Sequence, residues 1–313
     1  MENVIEISNL VKVFPKKGKN KEKLTAVAGI SFNVKKGEIF GLLGPNGAGK
    51  TTTLEIIEGL KKQTSGTVKV LGLDNIKNVD EIKKRIGIQL QSSQYLHHLT
   101  LGELLDLFGS LYGRKNDKKT KLLQLVGLED KINEEVKDLS GGQKQRFTIA
   151  TSLVHSPEIL FLDEPTTGLD PKARRDLWQL IKTLNHQDIT IVLTTHFMEE
   201  AEFLCNRVAI MDNGKILEID EPKKLIDRLS ETTQVSFFTE DKVDRALFAK
   251  LPEITKVYAN YPKIILEISS LDKISTIVNL LKEKNIIFYG FTVKTASLED
   301  VYLDLTGKDY GDE

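Results

Sequence analysis

The sequence predicts an α/β fold, an α/β core with a helical insertion, followed by a small α+β unit. Three observations carry that reading. An apolar run, "IFGLLG" at 39–44, leads into a glycine-rich loop and then a helix-period segment. Two further apolar strands, "EILFLDEP" and "TIVLTTH", alternate with helical stretches, the pattern of a sheet covered on both faces. Residues 226–313 then change to a mixed rhythm of strands and helices.

Taken in order, strand-like alternation opens the chain in "VIEISNLVKVF" and returns in "AGISFNVKKGEIFGLLG". The basic stretch "PKKGKNKEK" between them reads as a solvated hairpin loop with no assigned function. "TTTLEIIEGL" has helical spacing and follows the glycine loop. From about 92 to 139 the pattern is helical with polar breaks, the insertion. "CNRVAIMDNGKILEID" holds an Asn-Gly turn between short strands, a hairpin signal. In the last unit "TQVSFFTE", "ITKVYANY", "KIILEISS" and "IIFYGFTVKT" read as strands, while "KVDRALFAKL" and "LDKISTIVNLLKEKN" read as helices. That β-α-β-β-α-β order suggests a ferredoxin-like arrangement, closed by a helix with Ser297 as cap and Gly307 as stop.

The 313 residues are 40% hydrophobic and 28% charged, enough for a full core and a second, smaller domain. With 44 basic and 45 acidic side chains and a formal charge of -1, no global field marks a nucleic-acid or lipid-surface binder. The single cysteine, Cys205, excludes an intramolecular disulfide framework and suits a reducing compartment. No run approaches the roughly 18 apolar residues of a membrane span, and the start has no signal-peptide pattern. A membrane role therefore requires another subunit.

"GPNGAGKTT" at 44–52 fits the phosphate-loop pattern G-x-x-x-x-G-K-[ST]. Gly44, Pro45, Asn46, Gly47, Ala48 and Gly49 form the loop, whose backbone N–H groups and following helix end suit phosphate. Lys50 supplies a point charge for the β- and γ-phosphates, Thr51 a hydroxyl for Mg²⁺, and Thr52 a donor for the α-phosphate. In "ILFLDE" the strand end delivers Asp163 as a metal ligand through water and Glu164 as the residue that orients or deprotonates water. His196 ends "IVLTTH", where an imidazole can sense a γ-phosphate; His97, His98, His155 and His186 read as solvated or core.

"LSGGQ" at 139–143 is a second anion site, with Ser140 as N-cap, Gly141 and Gly142 as a turn with free N–H groups, and Gln143 at the start of a helix. It has neither lysine nor adjacent metal ligands. Such a half-site is useful when another molecule brings the nucleotide, so one chain bearing both halves can close a head-to-tail dimer around two ATP molecules.

That combination resembles the ATP-binding subunit of ABC transporters, over about residues 4–225. The chain is similar to that family in its Walker A loop, its Walker B strand, its "LSGGQ" signature, the D-loop "GLD" at 168–170 and the switch histidine His196. The resemblance implies a P-loop NTPase core of the ABC ATPase kind with a β subdomain, in an ATP-binding cassette over 1–225 and an accessory α+β domain over 226–313. It implies that Ser140 and Gly142 meet the partner's γ-phosphate and that Asp170 aligns that site. Gln91 would be the lid glutamine that touches Mg²⁺; Gln89 lies on the same face of the strand. Phe14 would stack on adenine or be a plain core residue.

The implied activity is hydrolysis of ATP with Mg²⁺, by two cassettes attached to an integral membrane permease at the cytoplasmic face of the cell membrane, with no nucleic acid. The mixed α/β tail resembles that of bacterial exporter subunits paired with ABC-2 type membrane proteins, so export of a drug, antibiotic, lipid or peptide is expected. An importer subunit or a non-transport ABC ATPase with a soluble partner are the alternatives. Trp178, Cys205, Met198 and Phe203 read as packing residues.

Overall fold

The computed structural model describes residues 2–15, 23–89, 95–96, 98–113, 119–229, 233–241, 243, 247–248, 251, 254–268, 271–294 and 296–307. The chain divides into two compact units, residues 1–221 and 222–313.

In the first unit, β1 (Asn3–Pro15) and β2 (Lys23–Lys35) pair antiparallel, with Pro15 opposite Lys23. Residues 16–22, the basic stretch read as a loop, lie outside the described residues. With β4 (Ser65–Val70) and β5 (Leu73–Asp74) they form a four-stranded sheet, ordered β2-β1-β4-β5. Its inward residues Val27, Val34, Val68 and Val70 are fully buried or nearly so. They share one apolar cluster with Phe40, Leu42, Ile57 and Phe161.

The larger sheet is built from β3 (Ile39–Leu43), β6 (Ile86–Gln89), β7 (Ile159–Asp163), β8 (Thr190–Thr195), β9 (Arg207–Asp212) and β10 (Lys215–Asp220), ordered β10-β9-β3-β8-β7-β6. Only the β9/β10 hairpin is antiparallel; β9, β3, β8, β7 and β6 run parallel. Its Asn-Gly turn places Asn213 at φ 47° and Gly214 at φ 75°, the left-handed pair that a two-residue hairpin needs. Every residue of β3, β7 and β8 is buried, which explains the apolar runs at their centres. Parallel connection aligns the carboxyl ends of these three strands on one edge, where the candidate site lies.

Helices α1 (Lys50–Ile57) and α2 (Val79–Lys83) precede the insertion, of which α3 (Leu101–Leu111) and α4 (Lys119–Leu125) are described. The Thr100 hydroxyl accepts from the Glu103 N–H and the Glu103 carboxylate accepts from the Thr100 N–H, a capping box that starts α3. Next come α5 (Gly141–Ser152), α6 (Pro171–Asn185) and α7 (Met198–Leu204). His155 is core: its Nε2 lies 2.8 Å from the Ile86 carbonyl.

The second unit holds α8 (Pro222–Leu229), β11 (Thr233–Phe238), β12 (Ile254–Asn260), β13 (Lys263–Ile268), α9 (Ile274–Glu283), β14 (Tyr289–Lys294) and α10 (Leu298–Thr306). The strand order β12-β13-β11-β14, with antiparallel neighbours throughout, is that of a split β-α-β arrangement. Of the first expected helix, "KVDRALFAKL", only Leu247 and Phe248 are described as helical. Phe237, Phe248, Leu266, Ile277 and Leu281 form its core. Ser297 caps α10 in a capping box with Asp300, and Gly307 ends it at φ 66°.

Candidate functional site

The glycine loop leaves β3 at Leu43 and enters α1 at Lys50, with Gly49 in the left-handed region at φ 100°. A Cβ on Gly49 would lie 2.3 Å from the Ala26 carbonyl oxygen, so any side chain there is excluded by backbone angle and by space. Within the loop the Lys50 ammonium is buried and donates to the carbonyls of Gly44 at 2.8 Å and Pro45 at 3.0 Å. Burial pulls its pKa down, while Glu164 and Asp163 counteract that shift. The lysine therefore sits behind the loop as a fixed charge.

Two carboxylates face it from the end of β7. Asp163 Oδ1 accepts from the Thr51 hydroxyl at 3.1 Å and from the Thr194 hydroxyl. Glu164 takes a left-handed φ of 46°, and its N–H donates to Thr194, at 3.2 Å to the carbonyl and 3.0 Å to the hydroxyl. That strained backbone turns the Glu164 side chain back over the strand ends. Its carboxylate lies 3.7 Å from Lys50 Nζ and 3.3 Å from His196 Nδ1, and accepts from the Thr167 hydroxyl at 3.1 Å. The contact with His196 is close without hydrogen-bond alignment.

Lys50, Thr51, Thr52 and Glu164 line an open cleft of about 250 Å³ with Asn46, Gly47, Phe14, Leu24 and Ala26. At α1's start the N–H groups of Gly49, Lys50, Thr51 and Thr52 precede the first helical bond, from the Thr53 N–H to the Gly49 carbonyl, and lack partners within the helix, as at any helix N-terminus. Glycine backbone, helix end, buried ammonium and apolar wall fit a nucleoside polyphosphate. The Thr51 hydroxyl beside the Asp163 carboxylate is an all-oxygen pair, the donor chemistry that Mg²⁺ takes.

The second half-site lies elsewhere on the surface. Ser140 caps α5: its hydroxyl accepts from the Gln143 N–H and the Gln143 side chain accepts from the Ser140 N–H, a second capping box. Gly141 and Gly142 form the helix's first turn rather than the expected free-standing turn, because this reciprocal cap starts the helix directly after Ser140. None of Ser140, Gly141, Gly142 and Gln143 lines the cleft of its own chain. Asp170 caps α6, accepting from the N–H groups of Lys172 and Ala173, both at 2.9 Å. A Cβ on Gly142 would lie 2.9 Å from that of Ala173, so the starts of α5 and α6 touch. Gln91 lies outside the described residues, as does His97. Gln89 ends β6 with its amide buried and without a partner among the described residues.

Sequence reasoning passed over several groups. Thr194 holds both Asp163 and Glu164; its signal is the polar pair that closes the apolar "IVLTTH". Gln145 donates to the Pro165 carbonyl at 2.7 Å, joining α5 to the loop after Glu164. Glu58 is buried at the end of α1, and burial followed by the charges of Asp163 and Glu55 pushes its carboxyl up to about 8. Trp178 does pack in the core, as expected, and also donates to Glu200.

The sequence model of the ABC transporter family matches residues 27–167. The linearmycin resistance ATP-binding protein LnrL of Bacillus subtilis is 35% identical, over 97% of this chain and 99% of that protein. The Nod factor export ATP-binding protein I of Ralstonia nicotianae is 35% identical, over 92% of this chain and 91% of that protein. Among solved structures, a dimeric ATP-binding cassette in a post-hydrolysis state bound to ADP and Pi superposes with a TM-score of 0.63 at 29% identity, covering 69% of this chain and 98% of that one. The protein cbiO1 of Clostridium perfringens, part of the transporter complex cbiONQ, superposes with a TM-score of 0.64 at 27% identity, covering 73% and 92%. Identity of 35% over nearly the whole length of both this chain and LnrL means that this chain belongs to the ATP-binding proteins of ABC transporters and is an ATPase.

Proposed function

We propose that this chain hydrolyses ATP at two composite sites formed head to tail with a second copy, and so drives export through an integral membrane permease. The observation that carries the reading is the separation of halves: Lys50, Thr51, Asp163, Glu164 and His196 converge at one cleft, while Ser140 to Gln143 start α5 outside it.

In this reading Phe14 stacks on the adenine; it lines the cleft with Leu24 and Ala26. Residues 44–52 hold the phosphates, and Lys50 neutralises the β- and γ-phosphate oxygens. Thr51, and Asp163 through water, would hold Mg²⁺, with Gln91 as a further ligand implied by the family resemblance, and the ion would supply neutralising charge for the phosphate oxygens. Glu164 accepts a proton from the attacking water, and His196 steadies Glu164 and meets the γ-phosphate. Ser140 and Gly142 add contacts to the γ-phosphate of the partner's ATP, and Asp170 aligns that site. ATP therefore draws two copies together, and loss of the γ-phosphate releases them.

Among the described residues no helix is long and apolar enough to cross a membrane, which fits a peripheral subunit at the cytoplasmic face. A groove lined by Ile86, Ile88, Phe108, Tyr112 and Thr151 lies between the insertion and the core, a seat for a permease segment. The names of the two relatives, linearmycin resistance and Nod factor export, support outward transport, with a drug, antibiotic, lipid or peptide as cargo. Residues 226–313 form an accessory domain.

The test is purification of tagged Glu164→Gln from detergent-solubilised host membranes with ATP and Mg²⁺, followed by mass spectrometry. A stoichiometric polytopic membrane protein is expected. A bare homodimer or soluble partners alone would remove transport and leave the ATPase.

A further inference from the structure

The two groups at the reacting end of the site, Glu164 and His196, stand on different segments. Glu164 directly follows β7 and leads through Thr166 to Asp170 and α6; His196 follows β8 and leads through Phe197 into α7. A change of 1 Å between such groups can cost about a hundredfold in rate, so whatever fixes the two exits against each other matters to turnover.

The strand ends are joined by the Glu164 N–H to Thr194, inside the sheet. Beyond the sheet, the Arg174 guanidinium of α6 lies 4.7 Å from the Phe197 ring centre, and that ring packs 4.1 Å from the His196 ring. Deeper, Glu200 of α7 is fully buried. Its Oε1 accepts from the Trp178 indole N–H of α6 at 2.9 Å, and its carboxyl faces the hydroxyls of Thr195, next to His196, and Thr166, two residues past Glu164. Trp178 is itself clamped by stacking on Phe203 of α7, with ring centres 5.0 Å apart.

A buried carboxyl is costly unless its hydrogen bonds are satisfied, and its burial raises its pKa. Glu200 therefore has a specific task to offset that cost. Resting on the roles of Glu164 and His196 given above, we propose that Glu200 is a positioning residue that fastens the loop after β7, the end of β8 and helix α6 together, and so sets the Glu164–His196 geometry for hydrolysis. The Oε2 atom of Glu200 and the Thr166 hydroxyl are both buried without an aligned hydrogen bond.

The test is steady-state ATPase kinetics on the full-length chain carrying Glu200→Gln, Glu200→Ala or Trp178→Phe, with Glu164→Gln alongside. Gln keeps an acceptor for Trp178 and gains an N–H for the hydroxyls; it should retain kcat to within about threefold. Ala should lower kcat by roughly tenfold to a hundredfold with KM for ATP little changed, because the phosphate loop is untouched. Should Ala fail to fold, Trp178→Phe keeps an aromatic ring against Phe203, loses the indole N–H together with the five-membered ring that carries it, and should lower kcat in the same way. Unchanged kcat in folded Glu200→Ala or in Trp178→Phe overturns the proposal, as does Gln behaving like Ala. Normal hydrolysis by Glu164→Gln would instead overturn the underlying site assignment.

Discussion

The Thr51 hydroxyl donates to Asp163 across 3.1 Å, joining residues that are 112 positions apart in the chain. They meet because α1 starts beside the end of β3, and β7 ends on the same edge of the sheet with β8 between them. Asp163 has a second hydroxyl partner in Thr194, so its carboxylate is oriented before any metal arrives. Thr51→Val should raise the Mg²⁺ concentration needed for half-maximal ATPase by on the order of tenfold, while leaving metal-free nucleotide binding unchanged. Fluorescent-nucleotide titrations with and without Mg²⁺ separate the two.

Ser140→Arg tests the separate half-site. Because Ser140 lies outside its own chain's cleft, ATP affinity of the single chain should be kept. The bulk of arginine, added to the loss of a cap worth about 1 kcal/mol, should prevent dimerisation with ATP. Calorimetry for binding and light scattering for mass check the two halves of that expectation.

Gln145→Leu should affect hydrolysis without touching nucleotide. The side-chain amide ties α5, which in the proposed dimer serves the partner's site, to the Pro165 carbonyl beside this chain's own Glu164. Its loss should cost about 1 kcal/mol of stability, read by urea denaturation, and lower kcat with KM held.

Glu58 gives a pH signature. Its folded-state pKa is raised from 4.5 to about 8, chiefly by burial. The protonated form suits the fold, so this contribution is complete below the unfolded value and is lost as pH rises through about 8. Glu58→Gln should flatten the decline of thermal stability over that window and gain on the order of a few kcal/mol at its alkaline end.

Much of this was legible in the sequence for a physical reason. The strands that carry the site are buried on both faces, so each has an apolar run at its centre, and the functional residues begin where those runs stop: Gly44, Asp163 and the stretch Thr194 to His196. Ser140 and Ser297 were readable as caps because capping is local. Less was legible where the decisive contact is long-range. Nothing near Glu200 announces that it will meet Trp178, 22 residues earlier, and "EEAE" offers three equal candidates. Gln145 reads as one more polar residue on a helix until the Pro165 carbonyl appears beside it. The Gly141-Gly142 pair reads as a turn from its glycines, and the Ser140–Gln143 capping box makes that turn the first of α5.

The most direct test of the composite-site account is the mass of the full-length Glu164→Gln chain in solution, by size exclusion with light scattering, with and without saturating ATP and Mg²⁺. The account expects a monomer without nucleotide and a dimer with it, since the closed state forms and cannot discharge. A monomer under both conditions, with ATP shown to be bound, would contradict it.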